Sequence, residues 1–232
     1  MTTAVIVAAG RGTRMGPGVD KLFLEIGGRT VVGHAWKRFD ASPEIDHVVL
    51  VVRAGMEAAF REIAAGLGLS KPYHLVPGGA ERQDSVWNGL LAVPPGTRWV
   101  AIHDGARPCT TPETLRRCLA DARIHGAAVA AQRVVDTIKE AEPGEPTVRK
   151  HLDRSLLWSV QTPQCFRVEI LRASLEKVRE CGAVVTDDTA ACGLAGHPVH
   201  LTECPDPNPK VTSPSDLPWV AHWLRPPDQP LP

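Results

Sequence analysis

The chain has 232 residues, 43% of them hydrophobic, and its 26 Lys and Arg are balanced by 26 Asp and Glu. That length suits one large domain, or one domain carrying an insertion, with enough apolar residues for an ordinary core. The even charge excludes a broad nucleic-acid surface, and no apolar run approaches the roughly 18 residues that cross a bilayer.

The first residues, "MTTAVI", carry neither a basic leader nor a cleavage site, so they read as a first strand over 4–8. Further strands are expected at 47–52, 73–76, 99–103, 127–131 and 199–203. Helices are expected between them at 31–39, 56–65, 83–92, 112–125 and 168–181, with a last one starting near Ser215. Strand alternating with helix predicts an α/β fold: a Rossmann-like, mostly parallel sheet with helices on both faces. The strand "HVVLVV" is apolar throughout, as burial on both faces requires. Residues 134–157 break this rhythm. They are polar around a Pro-Gly-Glu-Pro centre and read as two short strands projecting from the domain. Composition alone leaves that arm, at about 133–157, either a solvated hairpin or a dimerisation device. The organisation expected is a single domain over 1–225 with the arm inserted, and a disordered proline-rich tail over 226–232. Cys109, Cys118, Cys165, Cys181, Cys192 and Cys204 form no C-x-x-C pair and no zinc spacing. They read as reduced thiols of a cytoplasmic protein, used as small hydrophobes.

In such sheets ligands bind outside the carboxyl ends of the strands. Three loops rich in Gly, Arg and Asp leave on that side: "VAAGRG" after the first strand, "VPGGAERQDS" after the third and "HDGARP" after the fourth. The first does not fit a dinucleotide fingerprint, because Met15 stands where the third small residue belongs and the second strand ends in Arg53, not an acid. It is not a Walker loop either, since no register supplies Gly-Lys. What remains is a glycine loop carrying its own cations, Arg14 and, further on, Lys21. Backbone amides can approach a phosphate there, and the cations suit a triphosphate attacked at its α-phosphorus. Asp104, at the end of the fourth strand, is a carboxylate suited to Mg²⁺, which prefers oxygen ligands and triphosphate partners. The start of the helix after Gly78 and Gly79 can cap a ligand. Asp84 and Ser85 could equally serve that helix as caps alone.

The run A-A-G-x-G-x-R-M followed by Lys21 resembles the nucleotidyltransferases that join nucleoside triphosphates to sugar or polyol phosphates. "GGAERQDSV" (78–86), "HDGARP" (103–108), "DTIK" (136–139), Asp153-Arg154, "TPQ" (162–164), "TDD" (186–188) and "KVT" (210–212) follow in order. Together they resemble the 2-C-methyl-D-erythritol 4-phosphate cytidylyltransferase family, from Ala4 to about Thr212. The resemblance implies that CTP and methylerythritol phosphate give the CDP-polyol and pyrophosphate, with Mg²⁺, in non-mevalonate isoprenoid biosynthesis. It implies Arg14, Lys21, Arg154 and Lys210 as catalytic cations. It places Ala8, Ala9, Gly10, Gly12, Gly78, Gly79, Arg82, Asp84 and Ser85 on the nucleotide. It places Asp104, Arg107, Thr137, Arg154 and Lys210 on the polyol phosphate, with Asp104 near the metal. It also implies a homodimer through the arm, with Arg154 reaching the partner's site. Asp20, Leu22, Gly105 and Pro209 depart from the family's usual Pro, Gln, Ala and Ile, and Asp20 bears on how Lys21 is aimed. Two other readings stay open: a cytidylyltransferase for another polyol phosphate such as ribitol 5-phosphate, and a non-catalytic nucleotide-binding regulator.

Overall fold

Strand β1 (Thr2–Ala8) runs through the middle of the molecule and sends alternate side chains to opposite faces of its sheet. In the computed structural model, which describes residues 1–10 and 18–225, Ala4, Ile6 and Ala8 join one core cluster while Val5 joins the other. A two-residue hairpin, β2 (Glu25–Ile26) and β3 (Arg29–Thr30), leads into α1 (Val31–Ala41). There follow β4 (His47–Val52), α2 (Glu57–Leu67), β5 (Tyr73–Pro77), α3 (Arg82–Leu91), β6 (Trp99–Asp104), α4 (Pro112–His125) and β7 (Ala127–Arg133). The arm is β8 (Lys139–Glu142) paired antiparallel with β9 (Glu145–His151), and every residue of both strands is exposed. The chain returns through β10 (Trp158–Arg167), α5 (Val168–Glu180), α6 (Asp188–Leu194), β11 (His200–Glu203) and α7 (Asp216–Leu224).

Among the described residues the large sheet has the order β11-β7-β10-β6-β1-β4-β5. β10 runs antiparallel to both neighbours, and the other pairings are parallel. Helices cover both faces. Trp36 and Phe39 of α1, Phe60 of α2 and Leu115 and Leu119 of α4 pack on one. Val86 and Leu90 of α3, and Leu171 and Leu175 of α5, pack on the other. The α/β expectation therefore holds, with one antiparallel strand added. β10 is hard to read from sequence because Pro163 sits inside it, and proline removes a ladder donor. The sheet absorbs it as a register shift between Val160 and Gln164. α6 is also absent from the sequence reading, since seven residues are too few to show a helical period.

α1 is anchored at its far end by one carboxylate. Asp40 is 1% exposed; it accepts the Ser70 and Lys71 amides, each at 2.9 Å, and the Lys37 ammonium at 3.0 Å. Burial alone would raise its pKa, but the Lys71 amide, Lys37 and the Ser70 amide together hold it below the ordinary value. Asp40→Asn should cost about 2 kcal/mol at neutral pH, the range for hydrogen bonds to a charged group. Because the folded pKa is depressed, that stability is present above the unfolded value and fades as pH falls through the folded one. Denaturant titrations of both proteins from pH 7 into acid should therefore converge; a constant gap would contradict the charge assignment.

Candidate active site

The strand order reverses between β1 and β6, where the chain, after building outward through β4 and β5, returns to the other side of β1. A crevice is expected at such a switch point, outside the carboxyl ends of the strands. A cavity of about 240 Å³ opens there, and Ala8, Ala9, Gly10, Lys21, Gly79, Arg82, Ser85, Asp104 and Lys210 are on its wall. The structure thus brings most of the expected site residues together from five separate segments. Gly12 and Arg14 lie outside the described residues, as does the 226–232 tail.

Asp104 is the buried carboxylate on the cavity wall. It ends β6 at 9% exposure and receives Lys210 Nζ at 2.7 Å, with Arg82 Nε at 3.4 Å and Arg107 Nε at 3.7 Å. Burial opposes its ionisation, but Lys210, Arg82 and Arg107 outweigh burial and hold the carboxyl well below the usual range. Lys210 is brought in by the return of the chain after β11, where Val211 donates to the Ala106 carbonyl at 2.8 Å. The Val211 carbonyl in turn accepts Lys21 Nζ at 2.8 Å. Lys21 is itself 9% exposed, so its long stem is packed and its ammonium is aimed.

That settles the bearing of Asp20. Its carboxylate pairs with Arg53 and accepts the Leu22 amide at 3.1 Å, so the Arg53 charge offsets it. Leu22 packs in the core at 2% exposure. A Cβ at Gly105 would come within 3.2 Å of the Val7 carbonyl and 3.3 Å of Ala8 Cβ, a tight fit that small shifts could relieve.

The loop after β5 is shaped by close contacts. A Cβ at Gly78 would stand 2.4 Å from Ala9 Cβ, and one at Gly79 would stand 2.2 Å from Asp84 Cβ. Ser85 Oγ accepts the Gly79 amide at 3.1 Å and donates to the Glu81 carbonyl. Asp84 accepts the Glu81 amide at 3.1 Å, closing a capping box with Glu81, and stands 3.6 Å from Arg179. Its contacts are those of a helix cap, and it is not on the cavity wall, nor is Gly78.

Arg107 forms the partition to a neighbouring cleft of about 580 Å³, which Gln161, Asn208, Trp219 and Val135 at the arm's root also line. Burial draws the Arg107 pKa down and Asp104 opposes it. Thr137 and Arg154 are exposed in the arm region, away from the cavity of their own chain. Arg154 Nη1 donates to the Val135 carbonyl at 2.7 Å, which places it at the rim of the cleft.

Several supporting residues carry no sequence signal beyond membership of a motif. The Asp104 amide donates to Thr162 Oγ1 at 3.1 Å, and the Thr162 hydroxyl donates to His103 Nδ1, 2.9 Å away, because the ring proton sits on Nε2, which faces a carbonyl that can only accept. His103 Nε2–H then donates to the Arg107 carbonyl at 3.0 Å. His103 is fully buried, and burial pushes its pKa down to about 4, so the imidazole is neutral and structural. Asn208 donates to the Thr162 carbonyl at 2.6 Å and accepts Thr110, while its own carbonyl accepts Arg107 at 2.7 Å. Threading these bonds through β10 fixes the turn that presents Asp104 and Arg107.

Among the described residues no helix is long and apolar enough to cross a membrane, and no group of three His, Cys, Asp or Glu could by itself hold a metal. The family model described as 2-C-methyl-D-erythritol 4-phosphate cytidylyltransferase matches residues 2–225. A protein of that name from Pelotomaculum thermopropionicum is 43% identical, over 92% of this chain and 90% of its own length. Another, from Geobacillus kaustophilus, is 40% identical over 92% of each. The crystal structure of the 4-diphosphocytidyl-2C-methyl-D-erythritol synthase of Anaerococcus prevotii superposes with a TM-score of 0.85. It is 27% identical and covers 96% of this chain and 95% of the other.

Proposed function

The chain belongs to the 2-C-methyl-D-erythritol 4-phosphate cytidylyltransferase family, and from that premise we propose how its cavity carries out the reaction. As a member it is a cytidylyltransferase of the methylerythritol phosphate route to isoprenoids, joining CTP to 2-C-methyl-D-erythritol 4-phosphate. A phosphate oxygen of the polyol attacks the α-phosphorus of CTP, the bond to the β-phosphate's bridging oxygen breaks, and pyrophosphate leaves. An anion attacks an anion, so positioning and charge neutralisation dominate the barrier.

The observation that carries the residue assignments is the gathering of Lys210, Arg82 and Arg107 around the buried carboxylate of Asp104, with Lys21 on the wall of the same cavity. Without substrate Asp104 holds these three cations together; arriving phosphates compete for them. The Ala8, Ala9 and Gly10 backbone lies along the nucleotide, and Gly79, Arg82 and Ser85 bound its base and ribose. Lys21, with Arg14, stabilises charge on the transferring phosphate. Arg107 and Lys210 draw the polyol phosphate to the side facing the cleft at the arm's root. One carboxylate fits Mg²⁺, which usually takes one or two carboxylates and completes its shell with substrate phosphates and water. Asp104 would hold it, and what it supplies when bound is charge on the triphosphate oxygens. The cytoplasmic setting is in keeping with six cysteines that all stand free.

The working form is a homodimer in which Thr137 and Arg154 of the arm complete the partner's site. Their exposure, and their absence from the wall of their own chain's cavity, support this. Arg154→Ala should raise KM for the polyol phosphate about tenfold or more, as loss of a charge-assisted bond does, with a smaller change in kcat. Mixing Arg154→Ala with Lys21→Ala protein should restore activity, because one mixed site then holds both native cations. Mixed dimers with no more activity than the separate variants would contradict sharing.

A further inference from the structure

Arg82 lies between two carboxylates. Its Nε is 3.4 Å from Asp104 Oδ1, on the cavity side, and its Nη2 is 2.9 Å from Asp188 Oδ2, behind. Asp188 is 1% exposed and is not on the cavity wall. Among the described residues neither of its oxygens takes an aligned hydrogen bond, so the Arg82 guanidinium is its counter-charge. Burial pushes the Asp188 pKa up and Arg82 opposes it.

The placement of Asp188 is built, not incidental. Its amide donates to Gln164 Oε1 at 3.2 Å, and Gln164 Nε2 donates to Asp187 Oδ2 at 2.9 Å. Asp187 caps α6 by accepting the Ala190 amide at 2.9 Å. β10 therefore grips the start of α6 through one buried glutamine. The start of α3 is tied to the same region, because Gln83 donates to the Ala183 carbonyl and accepts the Val185 amide, each at 2.9 Å. Two helix starts are thus fixed to each other with an Arg–Asp pair between them. An arginine on the cavity wall with only Asp104 to pair with would be free to turn onto it. That would fill the crevice and leave the ordering of its long side chain to be met on binding.

We propose that Asp188 is a positioning residue for Arg82: from behind the cavity it holds the guanidinium at the wall and so sets nucleotide affinity. A buried ion pair in this role contributes arrangement more than stability. The inference rests on the reading of the cavity as the CTP site.

The test is calorimetric CTP binding, with Mg²⁺ present and the polyol phosphate omitted, on the wild type, Asp188→Asn, Arg82→Gln and the double variant, with melting temperatures alongside. Asp188→Asn should bind CTP about tenfold more weakly, the loss expected when a supporting residue is removed. On the Arg82→Gln background the same change should add less than about twofold, since its route of action is gone. An unchanged affinity in Asp188→Asn, even with a lowered melting temperature, would overturn the proposal. So would a tenfold loss repeated in full on the Arg82→Gln background. If Asp188→Asn does not accumulate as folded protein, Gln164→Leu, which removes the grip on residues 187 and 188, carries the same expectations. Wild-type affinity in Arg82→Gln would instead overturn the placement of Arg82 on the nucleotide, and the proposal with it.

Discussion

Lys21→Ala lowers kcat by about 10²–10³-fold, the usual effect of removing one preorganised charge from a transition state. The KM for CTP changes far less, because the proposed base and ribose contacts, Gly79, Arg82 and Ser85, lie elsewhere on the wall. The size of the effect follows from how the ammonium is held. Lys21 is 9% exposed, reaches the cavity and is fixed by the Val211 carbonyl at 2.8 Å. An ammonium already held at the cavity wall needs little reorganisation to meet a phosphate in the proposed role. The Ala variant also empties packed volume, so Lys21→Met is the sharper form: it keeps most of the stem and deletes the charge. Steady-state kinetics on both variants should give the same fall in kcat. A Met variant near wild-type rate would mean that Lys21 serves packing, and the catalytic assignment would be wrong.

Asp104→Asn has the second large effect, and it acts on stability and activity together. The substitution preserves shape and removes the negative charge shared by Lys210 at 2.7 Å, Arg82 at 3.4 Å and Arg107 at 3.7 Å, leaving Arg82 with Asp188 alone. Breaking a buried pair from one side leaves Lys210 and Arg107 without that counter-charge, at a cost of about 3 kcal/mol. The cations proposed to position the phosphates then repel one another, and kcat/KM should fall about 10³-fold. The pH dependence has a definite sign. Asp104 is held well below its ordinary value of about 3.9. Its stabilisation is therefore complete above that value and is lost as pH falls through the folded one. Denaturation of wild type and variant should differ most at neutral pH and converge in strong acid. Equal stability at pH 7 would show that the carboxylate does not hold the cluster.

Much of this site was legible because its parts sit where parallel strands end. The glycines after β1 and β5, Lys21 and Asp104 are local signals, and the switch-point rule gathers them. α4 matches its expected limits, 112–125, because Thr111 caps its start beside Pro112 and Gly126 ends it with a positive φ. What sequence did not yield is the bracing. Thr162, Gln164 and Asp188 fall in recognisable motifs, yet they act across 58, 24 and 106 positions, on Asp104, Asp188 and Arg82 respectively. No periodicity reports such contacts. The strand that carries two of them is hidden by its own proline. Asp84 teaches the reverse: a polar residue in a ligand loop whose bonds are a helix cap's. The charge of Asp20 beside Lys21 is met by Arg53, 33 residues away, and Lys21 itself is held by the Val211 carbonyl, 190 residues away.

The most direct measurement is pyrophosphate release by the purified protein with CTP, Mg²⁺ and a panel of polyol phosphates. The account predicts rapid release with 2-C-methyl-D-erythritol 4-phosphate, none when CTP, the polyol or Mg²⁺ is omitted, and little with ribitol 5-phosphate. Efficient turnover of ribitol 5-phosphate without methylerythritol phosphate turnover, or CTP binding with no pyrophosphate released from any of them, would contradict it.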